Sequence, residues 1–124
     1  MKISRIRITP VAFADPPLLN AVGLHEPFAL RAIIQLETDD GLIGLGETYA
    51  DEAHLTRLAA AADALVGLDV FDTNAMRTAV ASALHGSRGS DRHGLTGEIT
   101  ATGTIDRALS PFEVAALDVQ GKAL

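Results

Sequence analysis

The stretch "FALRAIIQLETDDGLIGLGETY", Phe28 to Tyr49, decides the fold. Two runs of apolar and β-branched residues, roughly Leu30 to Thr38 and roughly Leu42 to Thr48, flank Asp39, Asp40 and Gly41. Those three residues tolerate the positive φ that tight hairpin turns need, so the stretch is a predicted β-hairpin. Upstream, Ile3, Arg5, Ile6, Arg7, Ile8, Val11 and Phe13 alternate as a strand does. This strand should end at Pro10 or shortly after, because proline cannot donate to a ladder. The first fifty residues therefore read as a three-stranded antiparallel meander with a long excursion between its first two strands. "GLIGLG", Gly41 to Gly46, has neither the Walker order nor the Rossmann spacing. Glycines placed inside a strand permit close backbone packing or a bulge instead.

The excursion itself is unusual. "PPLLNAVGLHEPFALRA", Pro16 to Ala32, is too apolar for an ordinary solvent loop and too broken by proline and glycine for a helix. An amide and an imidazole, Asn20 and His25, sit at its centre. A lone loop histidine is commonly a surface residue. Here, however, Leu18, Leu19, Val22, Leu24 and Phe28 could pin the segment to an apolar surface. Asn20 and His25 would then be left to hydrogen-bond a polar ligand such as a hydroxyl or carboxylate. Arg31 either adds a bidentate carboxylate contact or pairs with Glu37 or a nearby aspartate.

Helices follow. Asp51 can cap "EAHLTRLAAAADALVG", with Leu55, Leu58, Ala62 and Leu65 on one face and Gly67 as a stop. Asp72 or Thr73 can cap the next helix, whose stripe is Met76, Val80 and Leu84 and whose stop is Gly86. "SRGSDRHGLTGEITATGT", Ser87 to Thr104, is polar and glycine-rich and reads as a loop. A third helix is expected from Ser110, which forms a capping box with Glu113 and places Pro111 at the first helical position. Val114, Leu117 and Leu124 form its apolar face. No stop signal follows, so the chain reads as cut rather than finished.

Size and composition bound the function. The chain has 124 residues, a net charge of −6, 48% hydrophobic residues and no cysteine. That is one domain with room for a core, and it excludes disulfide frameworks, zinc ribbons and thiol catalysis. The acidic balance argues against nucleic acid as a partner. No leader and no membrane span are legible, so a cytoplasmic protein that does not associate with membranes is expected. His25, His54, His85 and His93 lack the three- or four-residue spacing of paired helical metal ligands. There is no nucleophile elbow, and the only lysines are Lys2 and Lys122.

The order of parts resembles the N-terminal capping domain of the enolase superfamily, and within it the mandelate racemase and muconate lactonizing enzyme branch. "GLIGLGETY" and "SPFEVAALDVQGKAL" carry the superfamily likeness over nearly the whole chain. "LLNAVGLHEPFALRAII" is similar to the glucarate dehydratase group, whose first loop has an Asn, then Gly-x-His-x-Pro-Phe, then an Arg. Those positions are Asn20, Gly23, His25, Pro27, Phe28 and Arg31. Two departures, "TYAD" where that group tends to glycine and Ala29 where it often has an aromatic, leave room for a different stereochemical preference.

The resemblance implies an α+β cap: a three-stranded antiparallel meander (1–50, with capping loops) followed by a small helical bundle (51–124). The C-terminal (β/α) barrel would be absent, since a barrel needs ~250 residues. The partner barrel would hold Mg²⁺ on carboxylates and supply the acid/base groups. It would remove the proton α to a substrate carboxylate, giving an enediolate that loses its β-hydroxyl. The cap would read the acid-sugar (aldarate or aldonate) substrate through His25, Asn20, Thr96 and Tyr49. This chain would contain no catalytic residue and no metal ligand and would be inactive alone, and the full-length enzyme would be a homo-oligomer. A non-catalytic α+β binding module and the cap of a racemase or cycloisomerase are the other readings.

Overall fold

The computed structural model describes residues 1–14, 28–87 and 100–124. Its elements are β1 (Ile3–Ala14), β2 (Phe28–Thr38), β3 (Ile43–Tyr49), α1 (Glu52–Leu65), α2 (Thr73–Ala83) and α3 (Ala101–Ala123). The sheet is antiparallel, in the order β1-β2-β3. The α+β meander and helical part expected from sequence are both present, and no (β/α) barrel occurs among the described residues.

Side-chain parity explains why the sheet has one dry face. Along β2, Ala32, Ile34, Leu36 and Thr38 are buried against the helices, while the residues between them are half-buried on the open face. Opposite them on β1 stand Ile6 and Ile8, whereas the buried Ile3 has the wrong parity for that face. A register shift between Ile3 and Arg5 resolves the conflict: the extra residue, Ser4, bulges, and its hydroxyl donates to the Glu37 carbonyl at 3.0 Å. Pro10 does not end β1 but pairs with Ala32 inside it, which an edge strand permits because the absent N–H faces away from β2.

In the hairpin turn Gly41 alone takes positive φ, at 88°. The Thr38 hydroxyl donates to Asp40 Oδ1 at 2.6 Å, and Asp39 Oδ1 accepts the Lys2 N–H at 2.9 Å. Both aspartates therefore serve the turn.

The first two helices start and stop where their caps say. Asp51 accepts the His54 N–H and Asp72 accepts the Ala75 N–H, while Gly67 and Gly86 take positive φ just past the two helix ends. α3 differs from expectation. It begins at Thr100, whose hydroxyl accepts the Gly103 N–H at 3.0 Å, so Ser110 and Glu113 are not a capping box and Pro111 is interior. An interior proline leaves the carbonyl four residues back without its N–H partner. Here that is Arg107, and the Ser110 hydroxyl donates to it at 3.4 Å.

Gly44 and Gly46 fix how α3 lies on the sheet. A Cβ on Gly46 would overlap the Pro111 carbonyl oxygen, and one on Gly44 would overlap that of Ala115 and stand 2.7 Å from Val119 Cγ2. Pro111, Ala115 and Val119 recur every four residues, so one face of α3 rests directly on the glycine backbone of β3. Because Gly46 meets the earlier residue and Gly44 the later ones, α3 runs antiparallel to β3.

Candidate functional site

The strand and helix directions bring the attachment points of three chain segments to one end of the molecule. β1 ends at Ala14 opposite Phe28, the first residue of β2, so residues 15–27 leave and rejoin the sheet there. β1 and β3 run parallel to each other, and Tyr49, the last residue of β3, pairs with Arg31, which also pairs with Val11. The β3–α1 turn is therefore at the same end. α3 runs antiparallel to β3, so its Thr100 end lies on the Tyr49 side of the Gly46 contact. Ser87, after α2, accepts a hydrogen bond at 3.3 Å from Arg57 in the second turn of α1. Both ends of the 88–99 segment thus belong to this end too.

Of the four residues read as substrate-facing, Tyr49 is placed by the structure. Asn20, His25 and Thr96 lie outside the described residues. Tyr49 is half-buried, and its ring stacks on His54 with centroids 4.1 Å apart and planes 17° from parallel. His54 Nε2 is hydrogen-bonded to Thr48 Oγ1 at 3.2 Å, and the His54 N–H donates to Asp51 Oδ1 at 3.0 Å. The Ala50 N–H donates to the Leu30 carbonyl at 3.2 Å.

His54 is 1% exposed. Burial pushes its pKa down to about 4, against the raising effect of Asp51 and with smaller lowering effects of Arg57 and Arg107. The imidazole is neutral at pH 7. Helical spacing puts Leu55 on the apolar stripe of α1, but the buried residues are His54, Leu58, Ala61, Ala62 and Leu65. The signal was present, since 54, 58, 61 and 65 follow helical spacing.

Arg31 pairs with Glu47 at 2.8 Å, and Glu37 is held instead by Arg5, at 2.5 Å. Both pairs lie on the open face of the sheet and are exposed, so neither adds much stability. Apolar groups also gather at the site end. Phe13, Phe28 and Leu30 are 49%, 53% and 45% exposed, on the part of the β1–β2 ribbon that extends past β3. Among the described residues no group of three His, Asp or Glu side chains could hold a metal ion. No described helix is long and apolar enough to cross a membrane.

Comparison with known proteins gives the class. No family model matches the chain. A Streptomyces coelicolor protein named "Probable glucarate dehydratase" is 43% identical over 128 residues, covering 100% of this chain and 30% of that protein. A crystal structure of an enolase from Thermobispora bispora, complexed with magnesium and formate, is 52% identical with a TM-score of 0.93, covering 99% of this chain and 29% of that one. An enolase from Mycobacterium smegmatis complexed with tartrate is 60% identical with a TM-score of 0.84, covering 98% and 28%. The chain is similar to the N-terminal part of enolase-superfamily enzymes and has the fold of their N-terminal capping domain. It spans about 30% of the length of the relatives it matches.

Proposed function

We propose that the chain is the substrate-specificity cap of an acid-sugar dehydratase of the glucarate dehydratase type. In this reading residues 1–124 form one capping domain, with the sheet and its loops in 1–50 and the helical part in 51–124. The observation that carries it is that the residues flanking 15–27 and 88–99 lie at the same end of the fold as the 49–51 turn. Tyr49 lies at that end, and the segments that carry Asn20, His25 and Thr96 attach to the described fold there. The exposed Phe13, Phe28 and Leu30 at that pole suit a surface covered by the rest of the enzyme.

The reaction class is loss of water from an aldarate or aldonate to give a keto-deoxy acid. The acid/base groups and the Mg²⁺ site belong to the barrel outside this chain. Mg²⁺ there would stabilise the enediolate formed when the proton α to the carboxylate is removed. The work of this chain is to recognise the distal hydroxyls and carboxylate and to exclude water from the closed site.

The test is a chimera in which this chain replaces the matching segment of the Streptomyces coelicolor relative, assayed with Mg²⁺ for keto-acid formation from a panel of acid sugars. Turnover of at least one aldarate or aldonate is expected. His25→Ala should then lower kcat/KM by ~10–100-fold, the loss of one or two substrate hydrogen bonds. A folded, Mg²⁺-loaded chimera that turns over none of the panel would refute the dehydratase reading.

A further inference from the structure

We propose that His54 is a positioning residue for substrate recognition, holding the ring of Tyr49 so that its hydroxyl is presented to the ligand at the pole of the cap. This rests on the reading of that pole as the substrate end. The β3–α1 turn is fastened by every residue around Tyr49. The Thr48 hydroxyl is bound to His54 Nε2, the Ala50 N–H to the Leu30 carbonyl, and the Asp51 carboxylate to the His54 N–H. Tyr49 enters this set through its ring face alone, and its hydroxyl has no hydrogen-bond partner among the described residues.

A near-parallel stack fixes the plane of a ring while leaving its edge and its substituent available. The imidazole can serve as that platform because it is itself immobilised. It is buried and its Nε2 is hydrogen-bonded to the Thr48 hydroxyl of the strand, while the backbone N–H of the same residue is held by the Asp51 cap. It is also uncharged at neutral pH, so the platform adds no cation beside a carboxylate-bearing ligand.

The chain has one tyrosine and no tryptophan, so its intrinsic emission reports Tyr49 alone. In the 124-residue chain, His54→Phe keeps a flat ring without the bond to Thr48, and His54→Asn keeps a polar partner for Thr48 without a ring. Acrylamide quenching and emission anisotropy of Tyr49 should match the parent in His54→Phe. In His54→Asn quenching should rise and anisotropy should fall. His54→Leu takes the place of the asparagine variant if circular dichroism shows that the latter does not fold.

Carried into the chimera, Tyr49→Phe and His54→Asn should each raise KM for the accepted acid sugar by about tenfold with kcat within about twofold. The double variant should be no worse than Tyr49→Phe alone, because His54 acts through the hydroxyl. If Tyr49→Phe raises KM while His54→Asn leaves it unchanged, or if the two effects simply add, the positioning role is wrong and the substrate end stands. If Tyr49→Phe has no effect, Tyr49 is not a substrate contact and the proposal falls for that reason instead.

Discussion

At the scale of single residues, two features are strict in different ways. Gly44 and Gly46 are strict because of space. Their missing Cβ atoms let the Ala115 and Pro111 carbonyls touch the strand, and backbone cannot rotate aside as a side chain can. Gly46→Ala should destabilise the chain by about 1–3 kcal/mol, as overpacking in a close-packed interior does, read from urea unfolding midpoints. Gly41→Ala should also destabilise, but for a conformational reason, since nothing stands within 4 Å of its Cβ position while its φ is 88°.

His54 is strict because of charge. An unfolded histidine takes up its proton near pH 6.5, whereas this one does not until about 4. Between those values the unfolded chain binds the extra proton, so acid favours unfolding. Stability from this group is whole above pH 6.5 and is lost as pH falls towards 4, by up to about 3 kcal/mol. The measurement is unfolding free energy against pH for the parent and for His54→Phe. The parent should show the steeper loss below pH 6.5. The spacing made a buried position at 54 legible in the sequence, but the partner across the turn, Tyr49, was not. A stack between residues five apart depends on how the strand end meets the helix, which no periodicity encodes.

At the scale of elements, the edge of β3 and the start of α3 repay comparison. β3 is an edge strand, and its outward Leu45 N–H and Ile43 carbonyl would ordinarily be open to another chain. Asp118 accepts the first at 2.9 Å and Lys122 donates to the second at 2.7 Å, the two side chains themselves being paired at 2.8 Å. The Lys122 ammonium, and then the Leu45 N–H, hold the Asp118 carboxyl below its ordinary pKa. Asp118→Ala should therefore increase concentration-dependent association, measured by light scattering, more than it lowers the melting temperature.

At the other end of the helix, Thr100→Ala removes an N-cap and should cost about 1 kcal/mol. Ser110→Ala, the cap that the sequence suggested, should cost less, because it removes only a long bond to the Arg107 carbonyl. Pro111 misled the reading for a physical reason. Ser-Pro-x-Glu is what a helix start looks like, and an interior proline is normally expensive. What offsets that cost here is the hydroxyl on one side and a glycine strand on the other, and the latter is a tertiary fact. The hairpin, the first two helices and their stops were legible because their signals are local: caps, glycine stops and strand alternation. The Ser4 bulge was not, although the parity clash between Ile3 and Ile6 was its trace.

At the scale of the whole molecule, stability should be graded from the inside out. β2 pairs on both sides and its Ala32, Ile34 and Leu36 are fully buried, while Phe112, Ala115 and Val119 of α3 close the core beneath the sheet. Amide exchange should be slowest at β2 residues 32–36 and in the middle of α3, and fast at the ribbon end around Phe13 and Phe28. Fast exchange at β2 would mean that the sheet does not survive without a covering partner.

The meeting of α3 with the two glycines has a further consequence, for how relatives can vary in length. A helix seated on bare backbone cannot slide by less than a residue, and a shift of one residue moves it about 1.5 Å and turns it about 100°. From Pro111 back to Thr100 the helix reaches about 16 Å, so the strand contact sets where that reach ends, as the notch of a ruler sets its tip. An added residue inside α3 would swing the attachment of the 88–99 segment around the helix axis. The same residue added within 88–99 would leave both attachment points where they are. A change of length within 88–99 is therefore the one the fold tolerates, and the helix that follows is the part that has to keep its length.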